Sequence, residues 1–378
     1  MRIVFLCSSL QPGHDGVGDY TRRLACELIR QGHVVEAISL NDKYISHECL
    51  EVQGFDSIDL SVLRLPAVLP LTQKLTIAKK YINEFNPDWI SLQFVIFGYH
   101  SKGLPLWLNK LATLGKGRQW HIMFHELWLG MELDASKKHL LWGRIQKQII
   151  SSLISKLKPN VTHTHTRLYQ QKLSEIGVNS QHLPLFGNIP VLYTGEDLSD
   201  KNFKVSKLLK FVIFGHIHPG SAVKYFCAEI ARCADKNNIE ASLIFIGNCG
   251  TEQENWVANC EDAHIEVHIL GQQSADNISK VLREATIGIS TTPVALLEKS
   301  GSVAAMLEHL LPVICVPRVW EPPNFINLEI PEGIAVYKQG NLEEILSTDL
   351  NFEASINIEN ISKQFINSLI NKVEYGQY

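Results

Sequence analysis

Residues 287–316 read IGISTTPVALLEKSGSVAAMLEHLLPVICV and place a cation among small residues where a helix begins. An apolar run at Ile287 and Ile289 stops at the turn Ser290-Thr291-Thr292-Pro293. After a loop, Lys299-Ser300-Gly301-Ser302 open a helix with apolar residues at Val303, Met306, Leu307 and Leu310; Pro312 closes it and 313–316 start a buried strand. The unpaired N–H groups and the dipole of a helix N-terminus attract an anion, and Lys299 adds a full positive charge. The chemistry this predicts is a phosphate seat. The alternative is an ordinary capped helix with a surface lysine. Glu308 lies seven residues after Gly301, where a carboxylate either meets a nucleotide ribose or simply faces solvent.

Other residues carry candidate chemistry. Gly13, Gly16 and Gly18 follow an apolar run and would let backbone approach a ligand, or they serve only a tight turn. Their spacing is not G-x-G-x-x-G, and no acidic residue is cleanly placed after the second strand, which argues against a dinucleotide dehydrogenase. His125-Glu126 follow a strand at 120–124, at the carboxyl end where open sheets hold ligands; a histidine there can hydrogen-bond a sugar hydroxyl or a developing charge. Gly215-His216-Ile217-His218 follow another strand, and the two histidines could hold a diphosphate as cations or N–H donors. A third metal ligand at sensible spacing is missing beside them, so no metal is expected. His163 and His165 alternate in a strand and read as a polar face at the sheet edge.

The elements that must position these residues follow from periodicity. Strands are predicted at 3–7, 34–40, 89–94, 120–124, 161–165 and 182–185, with helices at 19–30, 72–85, 137–157 and 167–176. Periodicity is lost over 186–203, the expected linker, and returns with strands at 209–214, 242–246 and 265–269 and helices at 222–236, 251–259 and 274–284. This is an α/β chain of two doubly wound, Rossmann-like domains, expected at 1–190 and 204–350, with an amphipathic tail helix in 356–378.

Composition sets the outer limits. A length of 378 residues suits two domains, and 45% hydrophobic with 20% charged residues is ordinary for soluble globular proteins. No apolar run is long enough for a membrane span, the run at 3–7 is too short for a signal-peptide core, and none of the eight cysteines forms a CxxC. A cytoplasmic protein with reduced thiols is expected. Residues 1–195 carry 21 Lys+Arg against 15 Asp+Glu, too mild an excess to argue for nucleic acid. The stretch 137–158, KKHLLWGRIQKQIISSLISKLK, is basic on one side and apolar on the other. It is either a packed helix or a peripheral contact with an anionic membrane at its inner face.

Taken together, Gly16-Val17-Gly18-Asp19-Tyr20 with Leu24-Ala25, Gly32-His33-Val34, His125, Phe214-Gly215, Thr292-Pro293 and Leu311-Pro312-Val313-Ile314 make the chain resemble glycosyltransferase family four. The resemblance implies a GT-B fold and retaining transfer of a sugar from a nucleotide-sugar donor to an acceptor hydroxyl, with no metal or other cofactor. It implies that the donor lies in the interdomain cleft, against Gly16, Gly18, Gly215, His216, Lys224, Thr292, Lys299, Ser300, Gly301 and Glu308. His125 and Lys299 would be catalytic, Asp19, Tyr20 and Glu126 would meet the acceptor (a glycan, a lipid-linked sugar or a small molecule), and the tail helix would return to the first domain. A nucleotide-sugar epimerase of the same fold and a non-catalytic nucleotide-sugar-binding protein are the alternatives. The chain departs from the family pattern in two places. The Arg and Lys expected after the second domain's first strand are His216 and Ser221, with Lys224 three residues on. The expected glutamate pair falls on Leu297 and Ala305.

Overall fold

The computed structural model describes residues 1–192, 208–324, 329–348, 350, 352 and 356–375. The chain forms two compact units. One comprises Met1–Pro184, Pro322–Phe325 and Ile358–Tyr378, and the other Leu185–Glu321 with Ile326–Asn357. Most of the expected linker, from 193 to 203, lies outside the described residues. Its first residues, 186–192, belong with Leu185 to the second unit, where Leu192 N donates to Ser279 Oγ at 3.1 Å.

The first unit is built on an eight-stranded sheet of β1 (Arg2–Cys7), β2 (Val34–Asp42), β3 (Cys49–Phe55), β4 (Ile58–Pro66), β5 (Trp89–Phe94), β6 (Gln119–Phe124), β7 (Val161–Thr164) and β8 (Gln181–His182). Their order is β3-β4-β2-β1-β5-β6-β7-β8, and only the β3–β4 pair is antiparallel. Residues Ile3–Cys7 of β1 are fully buried, as a strand covered on both faces requires. The hairpin of β3 and β4 carries no turn signature of the usual kind. Asp56 and Ser57 both adopt positive φ, 51° and 61°, the geometry that an Asn-Gly pair commonly supplies in two-residue hairpins.

Helices α1 (Gly16–Arg30), α2 (Leu71–Phe85), α3 (Ile96–Tyr99), α4 (Lys137–Leu157) and α5 (Arg167–Ser174) follow the strands. Helix α1 begins three residues before the predicted start, because the Asp15 carboxylate caps it by accepting from the N–H groups of Val17 and Gly18.

The second unit carries a six-stranded parallel sheet of β9 (Leu208–Phe214), β10 (Glu240–Ile246), β11 (Glu266–Gly271), β12 (Ile287–Ser290), β13 (Val313–Cys315) and β14 (Ile334–Val336), in the order β11-β10-β9-β12-β13-β14. Helices α6 (Val223–Asn237), α7 (Glu252–Asp262), α8 (Ala275–Glu284), α9 (Gly301–Glu308) and α10 (Leu342–Ser347) cover it. One core cluster centres on Phe211, Phe226, Phe245 and Trp256, and another on Val212, Leu282, Met306 and Leu311. The last helix, α11 (Ile358–Tyr375), returns to the first unit and buries Ile361, Phe365 and Leu369 there, with Phe365 stacked on Phe5.

Candidate functional site

In the second sheet the strand order reverses at β9, which has β10 on one side and β12 on the other. Open α/β sheets bind ligands outside the carboxyl ends of the strands at such a reversal. The segments leaving the strands there carry His216 and His218 after β9, Thr291 and Thr292 after β12, and Arg318 after β13. Gly215 turns the chain at the end of β9 with φ of 81°, a region open to glycine, and its α-carbon faces Ser302 at the start of α9. The His218 N–H donates to Thr291 Oγ1 at 2.7 Å, and its ring lies crosswise to that of His216 with centroids 5.3 Å apart.

These groups form one electropositive cluster. The His218 ring is held below its ordinary pKa by burial first, and then by the positive charges of His216, Arg318 and Lys299. Lys299 ends a short 3-10 turn, Val294–Lys299, that leads directly into Ser300, the N-cap of α9. Ser300 Oγ accepts from Val303 N at 3.5 Å and is linked to Ser302 Oγ at 3.2 Å and Thr292 Oγ1 at 3.4 Å, while the space over the Gly301 α-carbon is open. Arg318 Nε is buried with no hydrogen-bond partner among the described residues. A guanidinium in that state calls for an acceptor.

Three of the expected donor-site features lie elsewhere or serve another role. Glu308, expected either at a ribose or in solvent, is 9% exposed, and its Oε1 accepts from the Gly187 N–H at 3.1 Å. It stands at the far end of α9, about 10 Å from Gly301 by helical rise, and braces the start of the expected linker. Leu297 and Ala305, where the family resemblance would put glutamates, are 2% and 0% exposed. A Cβ on Gly187 would stand 2.6 Å from the Ala305 α-carbon, so backbone lies directly against that helix position and leaves no room for a carboxylate. Lys224 is exposed on α6, where it lines a groove with Ala228, Arg232 and Asp235, and it is not among the cations acting on His218.

In the first unit the glycine loop is held by protein groups. Asp15 occupies the N-terminus of α1; burial raises its pKa, against the opposing N–H bonds from Gly18 and Val17. Asp19, a candidate acceptor contact, accepts from Gly13 N at 3.0 Å and pairs with Arg22 at 2.7 Å. Gly18 is needed for packing, since a Cβ there would meet Ser9 O at 2.8 Å, whereas Gly16 has open space above it. Behind the loop, Asp42 is fully buried and accepts from Arg64 Nε at 2.9 Å, while Arg64 also reaches Glu51 at 3.1 Å and Gln11 at 2.6 Å.

His125 and Glu126 follow β6 as expected, and Glu126 is half-buried. Tyr20 is 2% exposed and stands edge-on to the rings of His125 and His165, at 4.9 and 5.2 Å. The reading of His163 and His165 as a polar sheet edge is corrected: β8 covers β7, and both rings are buried. Both ring nitrogens of His125 are engaged inside the unit, Nε2 with Gln93 Oε1 at 2.9 Å and Nδ1 with His165 Nε2 at 3.1 Å. Sequence reading missed Gln93, His165 and Arg318. Only Arg318 had a local signal, a cation just past the end of an apolar strand.

Among the described residues no three His, Cys, Asp or Glu side chains converge as metal ligands, and no helix is long and apolar enough to cross a membrane.

The fold defined by these two sheets is the GT-B fold, two Rossmann-like domains in tandem. The chain is similar in structure to an apo lipopolysaccharide outer core galactosyltransferase, WaaB, with a TM-score of 0.52 at 17% identity over 98% of this chain and 100% of that one. HepE of Anabaena in complex with UDP and glucose gives 0.55 at 14% identity, over 100% and 98% of the two chains. The UDP-GlcNAc 2-epimerase of Neisseria meningitidis bound to UDP-GlcNAc gives 0.56 at 12% identity, over 98% and 100%. No protein-family model and no curated protein sequence matches the chain.

Proposed function

We propose that the chain is a glycosyltransferase that moves a sugar from a nucleotide-sugar donor, a UDP-sugar, to an acceptor hydroxyl with retention of configuration. The observation that carries this reading is the convergence of Lys299, Arg318, His216 and His218 at the strand reversal of the second sheet, beside the N-terminus of α9. In such a transfer the bond from the anomeric carbon to the diphosphate breaks and a bond to the acceptor oxygen forms on the same face. The acceptor proton passes to the departing diphosphate. Negative charge builds on that leaving group, and fixed cations with helix N–H groups stabilise it as it builds. Lys299 and Arg318 would supply the fixed charge, His216 and His218 neutral or cationic N–H donors, and Ser300 and Thr292 hydroxyls. Arg318 would supply, from a different strand end, the guanidinium that the family pattern puts where His216 stands. The preference for UDP draws on the UDP and UDP-GlcNAc bound in two structural neighbours. The first unit would receive the acceptor, with Glu126 as its half-buried carboxylate. Leu140, Leu141 and Ile145 are exposed on α4 among Lys137, Lys138 and Arg144, which supports a lipid-linked acceptor as a secondary reading.

The test is a thermal-shift panel of UDP-, GDP- and ADP-sugars. A ligand at about 100 times its dissociation constant adds about 2.7 kcal/mol to the stability of the unit that binds it. A shift with a UDP-sugar that falls away in both Lys299→Ala and Arg318→Ala is expected, each variant losing about 10- to 100-fold in affinity, the range for one charge-assisted hydrogen bond. No shift with any nucleotide would overturn the reading. Release of UDP with an epimerised free sugar would favour the epimerase, and binding without turnover a non-catalytic protein.

A further inference from the structure

A buried chain of hydrogen bonds crosses the first sheet beneath His125. His163 Nδ1 meets His121 Nε2 at 3.0 Å, His121 Nδ1 meets Ser91 Oγ at 2.8 Å, and Ser91 Oγ accepts from Gln93 Nε2 at 2.8 Å. Gln93 Oε1 meets His125 Nε2 at 2.9 Å, His125 Nδ1 meets His165 Nε2 at 3.1 Å, and His165 Nδ1 meets the Leu183 carbonyl at 2.9 Å. Both imidazole pairs sit on β6 and β7 or just past their ends, yet the groups that terminate them differ.

Proton counting separates the two pairs. A neutral imidazole carries one ring N–H and one acceptor nitrogen. For His121 and His163, Ser91 can donate its hydroxyl proton to His121, which donates to His163, and two neutral rings satisfy every contact. Burial, the largest effect on each ring, holds both below the ordinary histidine pKa, His163 at about 4. For His125 and His165 both terminal partners are acceptors, a carboxamide oxygen and a backbone carbonyl. The three contacts need three protons, one on His125 Nε2, one on His165 Nδ1 and one between the rings. Two neutral rings supply two.

We infer that His125 and His165 share one extra proton as an imidazole–imidazolium pair, and that His165 is a positioning residue that fixes the orientation and charge of His125. This rests on the transferase reading and on the role the family resemblance implies for His125 in it. Groups facing the pair include Tyr20 from α1, Gln93 from β5, and His182 from β8, whose Nε2 donates to the His165 carbonyl at 2.8 Å. Glu126 follows His125 in the chain. With both its ring nitrogens held, His125 acts on a bound anion through its charge rather than through a ring N–H of its own. Gln93 sets that charge. With its carboxamide turned round, the amide would donate to His125, the Ser91, His121 and His163 donors would reverse, and both pairs would be neutral.

The experiment is nitrogen-15 NMR of the histidine rings in the full-length wild-type chain between pH 6 and 8, with signals assigned by His125→Gln and His165→Gln. Three ring N–H protons on His125 and His165 together at pH 7 are expected, against two on His121 and His163. One N–H on each ring of the His125–His165 pair at pH 7 would overturn the inference and assign the reversed amide. Gln93→Glu keeps an acceptor against His125 and adds a negative charge, so the pair should hold its proton about one pH unit or more higher. A Gln93→Glu chain whose pair is neutral at pH 7 would also overturn it. The ring-proton count is independent of nucleotide binding and turnover, so it and the transferase reading can fail separately.

Discussion

Replacing Arg64 by Met strands a carboxylate in the core of the first unit. Asp42 is fully buried, and Arg64, itself 4% exposed, is its charged partner at 2.9 Å; the Leu10 and Tyr44 N–H groups donate to it at 3.3 and 3.0 Å and the Ser39 hydroxyl at 3.3 Å. Met fills the aliphatic volume but carries no charge, and removing one partner of a buried ion pair costs about 3–5 kcal/mol. The pH dependence sharpens the test. Burial pushes the Asp42 carboxyl up, but the hydrogen bond from Arg64, the Tyr44 and Leu10 N–H groups and the Arg64 charge outweigh it, and the group is held below its ordinary value. In the native chain this stabilisation is present above the unfolded value of about 3.9 and lost as pH falls through the lower folded value. In Arg64→Met the folded value rises, so the variant loses stability as pH climbs above about 4. The stability gap should therefore widen from pH 4.5 to pH 7. Urea unfolding followed by tryptophan fluorescence reads it, because Trp89, Trp107, Trp120, Trp128 and Trp142 all lie in the first unit. Asp42→Asn with Arg64→Met should cost less than Arg64→Met alone. A loss under about 1 kcal/mol at pH 7, or a gap that does not change with pH, would show that the carboxylate is not desolvated as the geometry requires.

Two further outcomes follow from the second unit. Gly187→Ala forces a methyl against the Ala305 backbone and should destabilise that unit by about 1–3 kcal/mol in calorimetry; an unchanged transition would mean that 185–192 lifts away from α9. Glu229 is 5% exposed and accepts from Tyr337 Oη at 2.8 Å, Gly340 N at 2.7 Å and Leu342 N at 3.3 Å, so Glu229→Gln should cost about 1.5–3 kcal/mol in the same scan, and a neutral result would relocate the anchor of α10.

Most sheet strands and most helices could be read from the sequence because they are local: buried parallel strands read as continuous apolar runs, and helices as 3.6-residue periodicity, whereas the three-residue β14 is too short to show either. The β3–β4 hairpin escaped because Asp56-Ser57 adopts a turn that its residue types do not announce. Lys299, Ser300 and Gly301 could be read because a helix start is also a local pattern. The company they keep could not. Arg318 acts on His218 only because β9 and β13 end on the same edge of one sheet, and His125 meets His165 and Gln93 only across three strands. Glu308 read as a ribose contact or a surface charge because its actual partner, the Gly187 N–H, lies 121 positions away in the chain.

The return of α11 to the first unit has a consequence for biosynthesis. Phe365 covers Phe5, His121 and His163, so the core of the first unit is closed by residues made only after the whole of the second unit. At about 5–20 residues per second, the stretch from Pro184 to α11 takes roughly 10–35 s to synthesise. Throughout that interval the nascent sheet exposes an apolar face and a pair of buried-type imidazoles, and by its end the second unit is complete in sequence and free to fold. A ribosome stalled before residue 358 would release a chain whose second unit is finished and whose first is open, a species that chaperones and proteases would be expected to recognise by that face.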